Sequence, residues 1–371
     1  MSLIIAEIGT SHEGSLEKAF ELIDAAADSG ADAIKFQWVY AKEILHPKTG
    51  FVNLPTGQIP LYDRFLQLEC SKEFYKKCND YVHSKGCKFC CSPFGLQSLE
   101  ELLELKPDIV KIASPELNHF PMLERLADYR KKQKENDEPM VPVIVSSGVS
   151  KLSDIEKAIS ILGTEGVSLL HCITSYPAPE TEYNLQLIHN LSEIFGIECG
   201  VSDHSLAPIL VPALSVSCDG KIIEKHITLS RKTKGLDDPV ALEPEQFAVM
   251  VHVVHQSEVT LKHYGPDLGK KRIIDQISEQ FGKEKVLAVI GNGVKKLAPA
   301  EEANYGRTNR SLHYMAAFEK GHIISAQDIG VLRTEKILTP GISPEFLNQI
   351  IGSELKNPVE DGAGVQLKDF L

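Results

Sequence analysis

Polar side chains end several apolar runs of this sequence, and the clearest case is "GVSDHS". This stretch follows a β-rich segment with Ser202, Asp203 and His204, which are a hydroxyl, a carboxylate and an imidazole. A second imidazole, His226, ends the next apolar run in "EKHITL". Since neighbouring strands lie about 4.8 Å apart, the two imidazoles could share a divalent ion. The alternative is two unrelated histidines that are hydrogen-bonded in the core or titrate on loops.

Two histidine ligands indicate which kind of metal site this would be. They underfill a zinc site, which normally has three or four protein ligands. Water and substrate oxygens would take the open positions, and that arrangement suits a Lewis-acid ion better than a structural one. We therefore predict a divalent metal, Mn²⁺ first and Mg²⁺ or Co²⁺ as further candidates, on His204 and His226.

Two lysines, Lys35 and Lys111, lie in other apolar runs, "AIKFQW" and "IVKIASPE". Burying a lysine is costly unless an anion neutralises its charge. The hydroxyls of Ser114, Ser146 and Ser202 add neutral donors, and together these groups suit a phosphate or a carboxylate. The alternative is a purely structural network of the two lysines with carboxylates. The candidate carboxylates are Glu7, Glu116 and Glu224.

Eight β-rich apolar runs alternate with amphipathic helical stretches from the start of the chain to about residue 265. Helical stretches such as "SLEKAFELIDAAADSG" repeat apolar residues at helical spacing. Eight βα units of this length predict a TIM barrel, whose catalytic groups come from the carboxyl ends of its strands. A doubly wound open sheet is the runner-up, but no glycine-rich phosphate loop follows the first strand. The barrel would bring the polar residues above together.

The pattern changes after residue 265. Residues 266–305 are charged and contain several glycines, and we predict a linker with one or two short elements there. Short apolar pieces separated by turn signals then indicate a small β-rich domain over residues 306–371. The predicted organisation is therefore an α/β barrel domain over residues 1–265, a linker, and a small C-terminal domain.

Composition disfavours several classes of function. The formal net charge of −12 argues against nonspecific binding to nucleic acid or to an anionic membrane. No apolar run reaches the roughly 18 residues of a membrane span, and "MSLIIAEIGT" lacks the basic segment of a signal peptide. Eight cysteines without such a signal indicate reduced thiols. We expect a cytoplasmic protein that binds small molecules, with no nucleic-acid or membrane partner.

With these residues in view, the chain resembles the sialic acid synthase family, which includes N-acetylneuraminate synthases and their legionaminate, pseudaminate and spore-coat relatives. Barrel motifs occur in family order, namely "AEIGTSHEGS", "KFQ", "SPF", "KIASPE", "SSG", "HCITSYP", "GVSDHS" and "EKHITL". The C-terminal unit, from "RTNRSLHY" through "TPGISP" to "IIGSEL", is similar to the antifreeze-like SAF domain of this family. The resemblance implies a TIM barrel followed by a β-clip domain of SAF type.

Members of this family condense phosphoenolpyruvate with an N-acylated amino-sugar aldehyde such as N-acetylmannosamine. The product is a nonulosonic, sialic-type acid, and phosphate is released. The resemblance thus implies a metal-dependent transferase that forms a carbon–carbon bond. Three alternatives stay open: a phosphoenolpyruvate condensation with a phosphorylated aldose, a non-catalytic carbohydrate-binding or coat-assembly relative, and a metal-dependent aldolase acting on pyruvate.

The resemblance also implies roles for residues of this chain. The metal ligands of the family fall on His204 and His226, where the ion would polarise the aldehyde carbonyl. Positions that bind phosphoenolpyruvate match Lys35, Lys111, Ser114, Ser146, Ser202 and Thr174. Positions that contact the sugar match Glu7, Gln37, Tyr176, Asp237 and Arg333. For the proton of the attacking water, Glu116 is the first candidate and Glu7 the second.

Three further expectations follow from the family pattern. Asp203 would either orient a neighbour of the metal or have a structural role. The protein would be a domain-swapped homodimer in which the SAF domain of one subunit caps the partner's barrel and offers Arg333 to the acyl group. Family members usually have this arginine directly before Pro-Gly, whereas "TEKILT" intervenes here before Pro340. Together with Thr174, where some relatives have asparagine, this departure indicates a different sugar or a divergent subgroup.

Overall fold

Eight parallel strands close into a barrel in the first two thirds of the chain. The structure is a computed structural model that describes residues 1–54, 57–233 and 235–371. The strands in these ranges are β1 (Leu3–Gly9), β2 (Ala33–Trp38), β3 (Phe51–Leu54), β4 (Gly57–Pro60), β5 (Lys88–Pro93), β6 (Ile109–Ile112), β7 (Val143–Ser146), β8 (Val167–Cys172), β9 (Glu198–Asp203), β10 (Ile222–His226), β11 (Arg310–Tyr314) and β12 (Ile329–Arg333). β1 pairs with both β2 and β10, which closes the ring β1, β2, β5, β6, β7, β8, β9, β10. The predicted TIM barrel is confirmed, and the open sheet is excluded.

Helices connect the barrel strands and cover the outside of the barrel. The helices of the described ranges are α1 (Leu16–Asp28), α2 (Ala41–Ile44), α3 (Leu61–Leu66), α4 (Lys72–Ser84), α5 (Leu96–Glu104), α6 (Phe120–Glu135), α7 (Leu152–Leu162), α8 (Gln186–Phe195), α9 (Leu210–Ser217), α10 (Pro244–Tyr264), α11 (Pro266–Phe281), α12 (Lys283–Ile290) and α13 (Leu347–Ile350). In α1 the Ser15 hydroxyl accepts from the Lys18 amide and caps the first turn. None of the helices described combines the length and hydropathy needed to cross a membrane.

Strand alternation divides the barrel interior into an apolar lower half and a polar upper half. Side chains of a strand point alternately to its two faces, so Ile5 and Glu7 of β1 face the same interior. Ile5 packs in a small apolar cluster at the bottom of the barrel, and Glu7 lies above it at the strand ends. The larger apolar core fills the layer between strands and helices. The other members of the lower cluster are Ala33, Cys90, Ile109, Ile144, Leu170 and Ile222.

Residues 266–305, predicted as a linker with short elements, begin with two helices that belong to the barrel surface. Ile273 and Ile277 of α11 are buried at helical spacing, and Val286 and Val289 of α12 join the main core. The charged letters of "GKKR" and "GKEK" belong to the exposed faces of these helices. An irregular stretch over residues 291–309, here called the connector, then leads to the C-terminal unit, and its second half consists of turns.

The C-terminal unit is a small β-rich body with its own apolar core. β11 and β12 pair in antiparallel fashion, with Arg310 opposite Arg333. The core contains Leu312, Tyr314, Ile324, Leu355 and Val365. This unit lies over the carboxyl ends of the barrel strands of the same chain. Backbone and side-chain hydrogen bonds join the two parts, among them Asn118 with Arg310 in both directions (2.8 and 3.0 Å), Thr49 with Thr334 (2.9 Å) and His46 with Asp361 (3.0 Å).

Candidate active site

A cavity of about 380 Å³ opens at the carboxyl ends of the barrel strands, beneath the C-terminal unit. Every site residue predicted from the sequence lines this cavity except Glu116. The lining residues predicted are Glu7, Lys35, Gln37, Lys111, Ser114, Ser146, Thr174, Tyr176, Ser202, His204, His226, Asp237 and Arg333. The barrel therefore brings together side chains that are up to about 326 positions apart in the chain.

Glu224 is the centre of the charged wall of the cavity. Its Oε1 atom lies 3.3 Å from Lys35 Nζ and 3.4 Å from Lys111 Nζ, and the Ser202 hydroxyl donates to the same oxygen over 2.8 Å. Lys35 also pairs with Glu7 at 2.8 Å. The sequence placed Glu224 only in the alternative structural network, although its position two residues before His226 on one strand gives both the same interior face.

The charge states of this wall follow from burial and mutual attraction. Burial alone would raise the pKa of Glu224, but Lys111 and Lys35 hold that pKa well below its usual range. Burial lowers the pKa of Lys111, and Lys35 lowers it further against the attraction of Glu224. Glu224 and Glu7 raise the pKa of Lys35 in spite of its burial. Both lysines are thus paired within the protein while they line the cavity.

Hydroxyl groups with unused hydrogen-bonding capacity surround the two lysines. Lys111 Nζ donates to the Ser146 hydroxyl over 2.7 Å. Thr174 Oγ1 and Ser92 Oγ are buried and have no hydrogen-bond partner in the described part of the chain. Ser92 is the penultimate residue of β5, and it was not among the predicted site residues. Because a buried hydroxyl without a partner costs about 1–3 kcal/mol, this wall is suited to a ligand that supplies several oxygen acceptors.

His204 and His226 face each other across the cavity, with ring centroids 5.5 Å apart. His204 Nδ1 lies 2.8 Å from the Ile173 carbonyl oxygen and donates to it, which turns Nε2 away from the backbone. Burial lowers the pKa of His226 well below its ordinary value, and the charges of His204 and Lys35 lower it further. Burial also lowers the pKa of His204, but Cys172 and the Ile173 carbonyl raise it to about 9.

The donors at this point fit a divalent ion with only two protein ligands. In the ranges that the structure describes, no group of three or more His, Cys, Asp or Glu side chains is arranged to hold a metal. A structural zinc site of four protein ligands therefore does not fit. A buried, neutral His226 and an oriented His204 fit an ion that keeps open positions, and its binding at His204 would displace a proton.

The predicted sugar-binding side chains gather beside the histidine pair. Gln37 Nε2 donates to Glu7 Oε1 over 2.6 Å, and Asp237 Oδ2 lies 3.9 Å from His226 Nδ1. A Cβ atom at Gly9 would lie 3.2–3.4 Å from Gln37, Glu7 and Asp237. Gly9 has a φ of +58°, which favours glycine, and its lack of a side chain lets the three polar groups converge. Tyr176 covers His204 at the mouth, with stacked rings 4.3 Å apart.

Asp203, the last residue of β9, faces away from the cavity, as its position between Ser202 and His204 requires. It pairs with Lys225 at 2.6 Å and accepts from the Tyr183 hydroxyl over 2.8 Å. The same hydroxyl accepts from the His204 backbone amide over 2.7 Å. Asp203 thus supports the backbone at His204 through Tyr183, and it does so from within a buried ion pair.

Glu116 was our first candidate for handling the proton of the attacking water, but it does not line the cavity. Its Oε1 atom accepts from Arg310 Nη2 over 3.0 Å and from Arg333 Nη2 over 2.6 Å. A short 3₁₀ turn over Ser114–Glu116 directs the carboxylate toward the C-terminal unit, where the two arginines bind it. Both partners lie about 200 positions later in the chain, so nothing local in the sequence indicated the pairing. Glu7, the second candidate, is in the cavity.

Arg333 lines the cavity of its own barrel although "TEKILT" separates it from Pro340. Its guanidinium group binds Glu116 and lies 5.3 Å from the centre of the Phe94 ring. Two residues of the intervening segment, Glu335 and Lys336, also line the cavity. The segment therefore adds charged groups where the C-terminal unit covers the cavity.

Family models match both parts of the chain. The NeuB family model matches residues 22–264, and the SAF domain model matches residues 309–371. An N,N'-diacetyllegionaminic acid synthase of Campylobacter jejuni is 30% identical over 370 residues, which cover 96% of this chain and 97% of that protein. A pseudaminic acid synthase of the same species is 28% identical over 376 residues, 99% of this chain and 96% of that protein.

Solved structures resemble the chain in the same way. The crystal structure of the spore coat polysaccharide biosynthesis protein SpsE of Bacillus subtilis superposes with a TM-score of 0.79 at 28% identity, covering 100% of this chain and 95% of that one. An N-acetylneuraminic acid synthetase of Leptospira borgpetersenii in complex with citrate superposes with a TM-score of 0.60 at 29% identity, covering 82% and 90%.

Replacing Glu116 tests its position between the barrel and the C-terminal unit. Glu116→Ala is expected to lower the free energy of unfolding by about 3–5 kcal/mol, because the buried guanidinium group of Arg310 and the partly buried one of Arg333 lose their carboxylate. Urea denaturation followed by circular dichroism measures the change. The matched control is Lys157→Ala, which removes an exposed ion pair with Glu345 between the same two parts and should cost below about 1 kcal/mol. Equal losses in the two variants would contradict the assignment.

Proposed function

Because the chain belongs to the NeuB family, we propose that it condenses phosphoenolpyruvate with an N-acylated amino-sugar aldehyde, forming a nonulosonic acid and releasing phosphate. The main support is the two-sided cavity. One side carries two buried lysines with serine and threonine hydroxyls, and the other carries two imidazoles with a group of neutral and acidic hydrogen-bonding side chains. These sides suit an anion and a polyhydroxylated aldehyde, respectively.

Phosphoenolpyruvate would bind at the lysine side. Lys35 and Lys111 both approach one oxygen of Glu224, so an entering phosphate or carboxylate competes for two ammonium groups that are already oriented. The unpaired hydroxyls of Thr174 and Ser92 supply donors that no protein group uses. Ser114, Ser146 and Ser202 complete the set, and their positions at the ends of different strands surround the ligand rather than lie on one side of it.

The aldehyde would bind at the imidazole side, with His204 and His226 holding a divalent ion. Such an ion, when bound, polarises the aldehyde carbonyl. Gln37, Asp237 and Tyr176 would orient the sugar hydroxyls, and Arg333 would contact the acyl group. In this pose the methylene carbon of phosphoenolpyruvate forms a bond with the aldehyde carbon, whose oxygen gains a proton.

Formation of the carbon–carbon bond uses the electron pair of the enol double bond and leaves a positive charge at C2. Water must then add to C2 before the bond between C2 and the phosphate oxygen breaks. Glu7 is our candidate for taking the proton from that water. Its carboxylate is fully buried, lines the cavity and lies within 2.8 Å of Lys35 and 2.6 Å of Gln37. This geometry lets Glu7 hold a proton at Oε1 or Oε2 between the two substrate sides.

A phosphorylated aldose is the second candidate acceptor, and the cavity favours it less. Among the lining residues that the structure describes, Arg333 is the single arginine, and Glu116 already binds it. A second phosphate group would therefore find no uncommitted guanidinium in that lining. We also propose that the reaction takes place in the cytoplasm, since all eight cysteines are buried free thiols.

The reaction is tested by phosphate release from phosphoenolpyruvate with Mn²⁺ against N-acetylmannosamine, its 6-phosphate and diacetamido-trideoxy hexoses. We expect release with one unphosphorylated N-acyl sugar. Lys111→Met should lower kcat/KM at least about 100-fold, because a buried cation facing the anion is lost. The control is the exposed Lys157→Met. The non-catalytic alternative would be favoured if no sugar of the panel led to phosphate release and phosphoenolpyruvate did not protect the wild type against thermal unfolding.

Metal removal tests the imidazole side. Dialysis against EDTA should abolish phosphate release, and Mn²⁺ should restore it. His226→Ala should lower the apparent Mn²⁺ affinity at least about tenfold, because the ion keeps one protein ligand. His189→Ala is the control, since His189 lies on α8 with a half-exposed ring beside Asp219. Full activity of the EDTA-treated protein, or an unchanged Mn²⁺ requirement in His226→Ala, would refute the metal role.

We propose further that two copies exchange C-terminal units, so that the contacts described within one chain form between subunits. Exchange of identical elements leaves the interface itself unchanged, and the connector is the stretch that would cross between subunits. The size of the protein in solution, measured by light scattering, gives the oligomeric state.

Mixed dimers decide which barrel Arg333 serves. His226→Ala and Arg333→Ala are each expected to lose most activity alone. When the two variants are co-expressed with different tags, exchange places an intact Arg333 over an intact barrel in each heterodimer. The co-expressed pair should then recover about a quarter of the wild-type activity. Isolated heterodimers without recovery would show that Arg333 acts on its own barrel.

A further inference from the structure

We propose that Glu301 of the connector is a positioning residue for the phosphoenolpyruvate side of the cavity, an inference that rests on the proposed function. Its Oε1 atom accepts from the Val149 amide over 2.8 Å and from the Thr174 amide over 2.7 Å. Its Oε2 atom accepts from the Ala298 amide over 3.3 Å. Only 1% of Glu301 is exposed, so a buried carboxylate joins the loop of Val149 to the loop of Thr174.

The two loops are those that follow β7 and β8. Val149 comes three residues after Ser146, and Thr174 comes two residues after the end of β8. Both carry predicted ligands of phosphoenolpyruvate. Val149 has a φ of +41°, which a β-branched residue rarely adopts. A hydrogen bond from its amide to a carboxylate is charge-assisted and offsets part of this strain.

Because the loop packs tightly, the position of its backbone determines where the hydroxyl groups of Ser114 and Thr174 lie. The Gly148 amide donates to the Ser114 hydroxyl oxygen over 3.0 Å. A Cβ atom at Gly148 would lie 2.1 Å from Thr174 Oγ1 and 2.8 Å from Ser114 Oγ. The backbone of the loop at Gly148 thus packs directly against both hydroxyls. Glu301, which holds Val149 and Thr174 at one oxygen atom, fixes the spacing between Ser114, Ser146 and Thr174.

Other residues of the connector bind the same loop. Lys295 Nζ donates to the Ser147 carbonyl over 3.0 Å, and Asn309 Nδ2 donates to the Val149 carbonyl over 3.0 Å. The connector therefore forms hydrogen bonds with the loop after β7 on both sides of Gly148. Glu301 adds the hydrogen bond to the loop after β8. The position of the connector and the geometry of the wall proposed to bind the anion therefore depend on each other.

Substitutions at Glu301 separate positioning from a merely structural role. The full-length protein is titrated with phosphoenolpyruvate by calorimetry, and KM is measured for each substrate. Glu301→Ala should raise the Kd and KM for phosphoenolpyruvate at least about tenfold, because two hydrogen bonds to a charged acceptor are lost. The KM for the sugar should rise clearly less, since Glu301 is linked to the imidazole side through one peptide group, Ile173–Thr174, whose carbonyl accepts from His204 Nδ1. Glu302→Ala, at the exposed neighbouring position, should leave all values unchanged.

Two conservative variants keep the test decisive if Glu301→Ala does not fold. Glu301→Gln retains an oxygen that accepts from both amides, so its Kd should stay within about threefold of the wild type. Glu301→Asp keeps the charge but retracts the oxygens by about 1.5 Å, so its Kd should rise nearly as far as that of the alanine variant.

The outcomes distinguish this inference from the proposed function. Wild type that binds phosphoenolpyruvate, together with a folded Glu301→Ala or Glu301→Asp that binds it equally well, would overturn the positioning role and leave the proposed function intact. A loss of thermal stability with unchanged Kd would do the same. Wild type that binds neither phosphoenolpyruvate nor inorganic phosphate would overturn both.

Discussion

Two ammonium groups and two carboxylates buried in the upper half of one barrel are the constraint on which the rest of this structure depends. Taking four charges out of water costs free energy unless each charge is paired and hydrogen-bonded. Lys35, Lys111, Glu7 and Glu224 meet that requirement with one another and with the hydroxyl of Ser202. The apolar cluster below them supplies the packing that keeps the strands at the spacing these contacts need.

The C-terminal unit, which caps the cavity, is also held by paired and hydrogen-bonded charges. Glu116 is buried and binds two guanidinium groups of the C-terminal unit, and Arg310 donates further to the carbonyls of Phe94 and Val331. The carboxylate that binds the C-terminal unit therefore lies only two residues from Ser114 of the cavity wall. Closing the cavity and shaping its proposed phosphoenolpyruvate side depend on neighbouring residues of one loop.

Much of this arrangement could be read from the sequence, because the period of a strand is local information. Polar residues at alternate positions, such as Ser202 and His204 or Lys35 and Gln37, marked the interior face at the strand ends. Interactions between distant parts of the chain were not readable in that way. Glu116 has the same residue type and strand-end position as the catalytic carboxylates of such barrels, and only the two arginines of the cap show where it points. The long helix α11 was predicted as part of a linker with short elements. Its exposed lysines and arginine made the segment look polar, although Ile273 and Ile277 have helical spacing.

The distance along the chain between Glu116 and its arginines has a consequence for biosynthesis. β1 cannot pair on both sides until β10 has been made, and Glu116 has no partner until residues 310 and 333 have followed. A nascent chain thus completes its barrel while the polar cavity is still open to the solvent, since domains fold in order as they are synthesised. The cavity is the last part of the molecule to become enclosed, and Glu116 stays without its two arginine partners until that step.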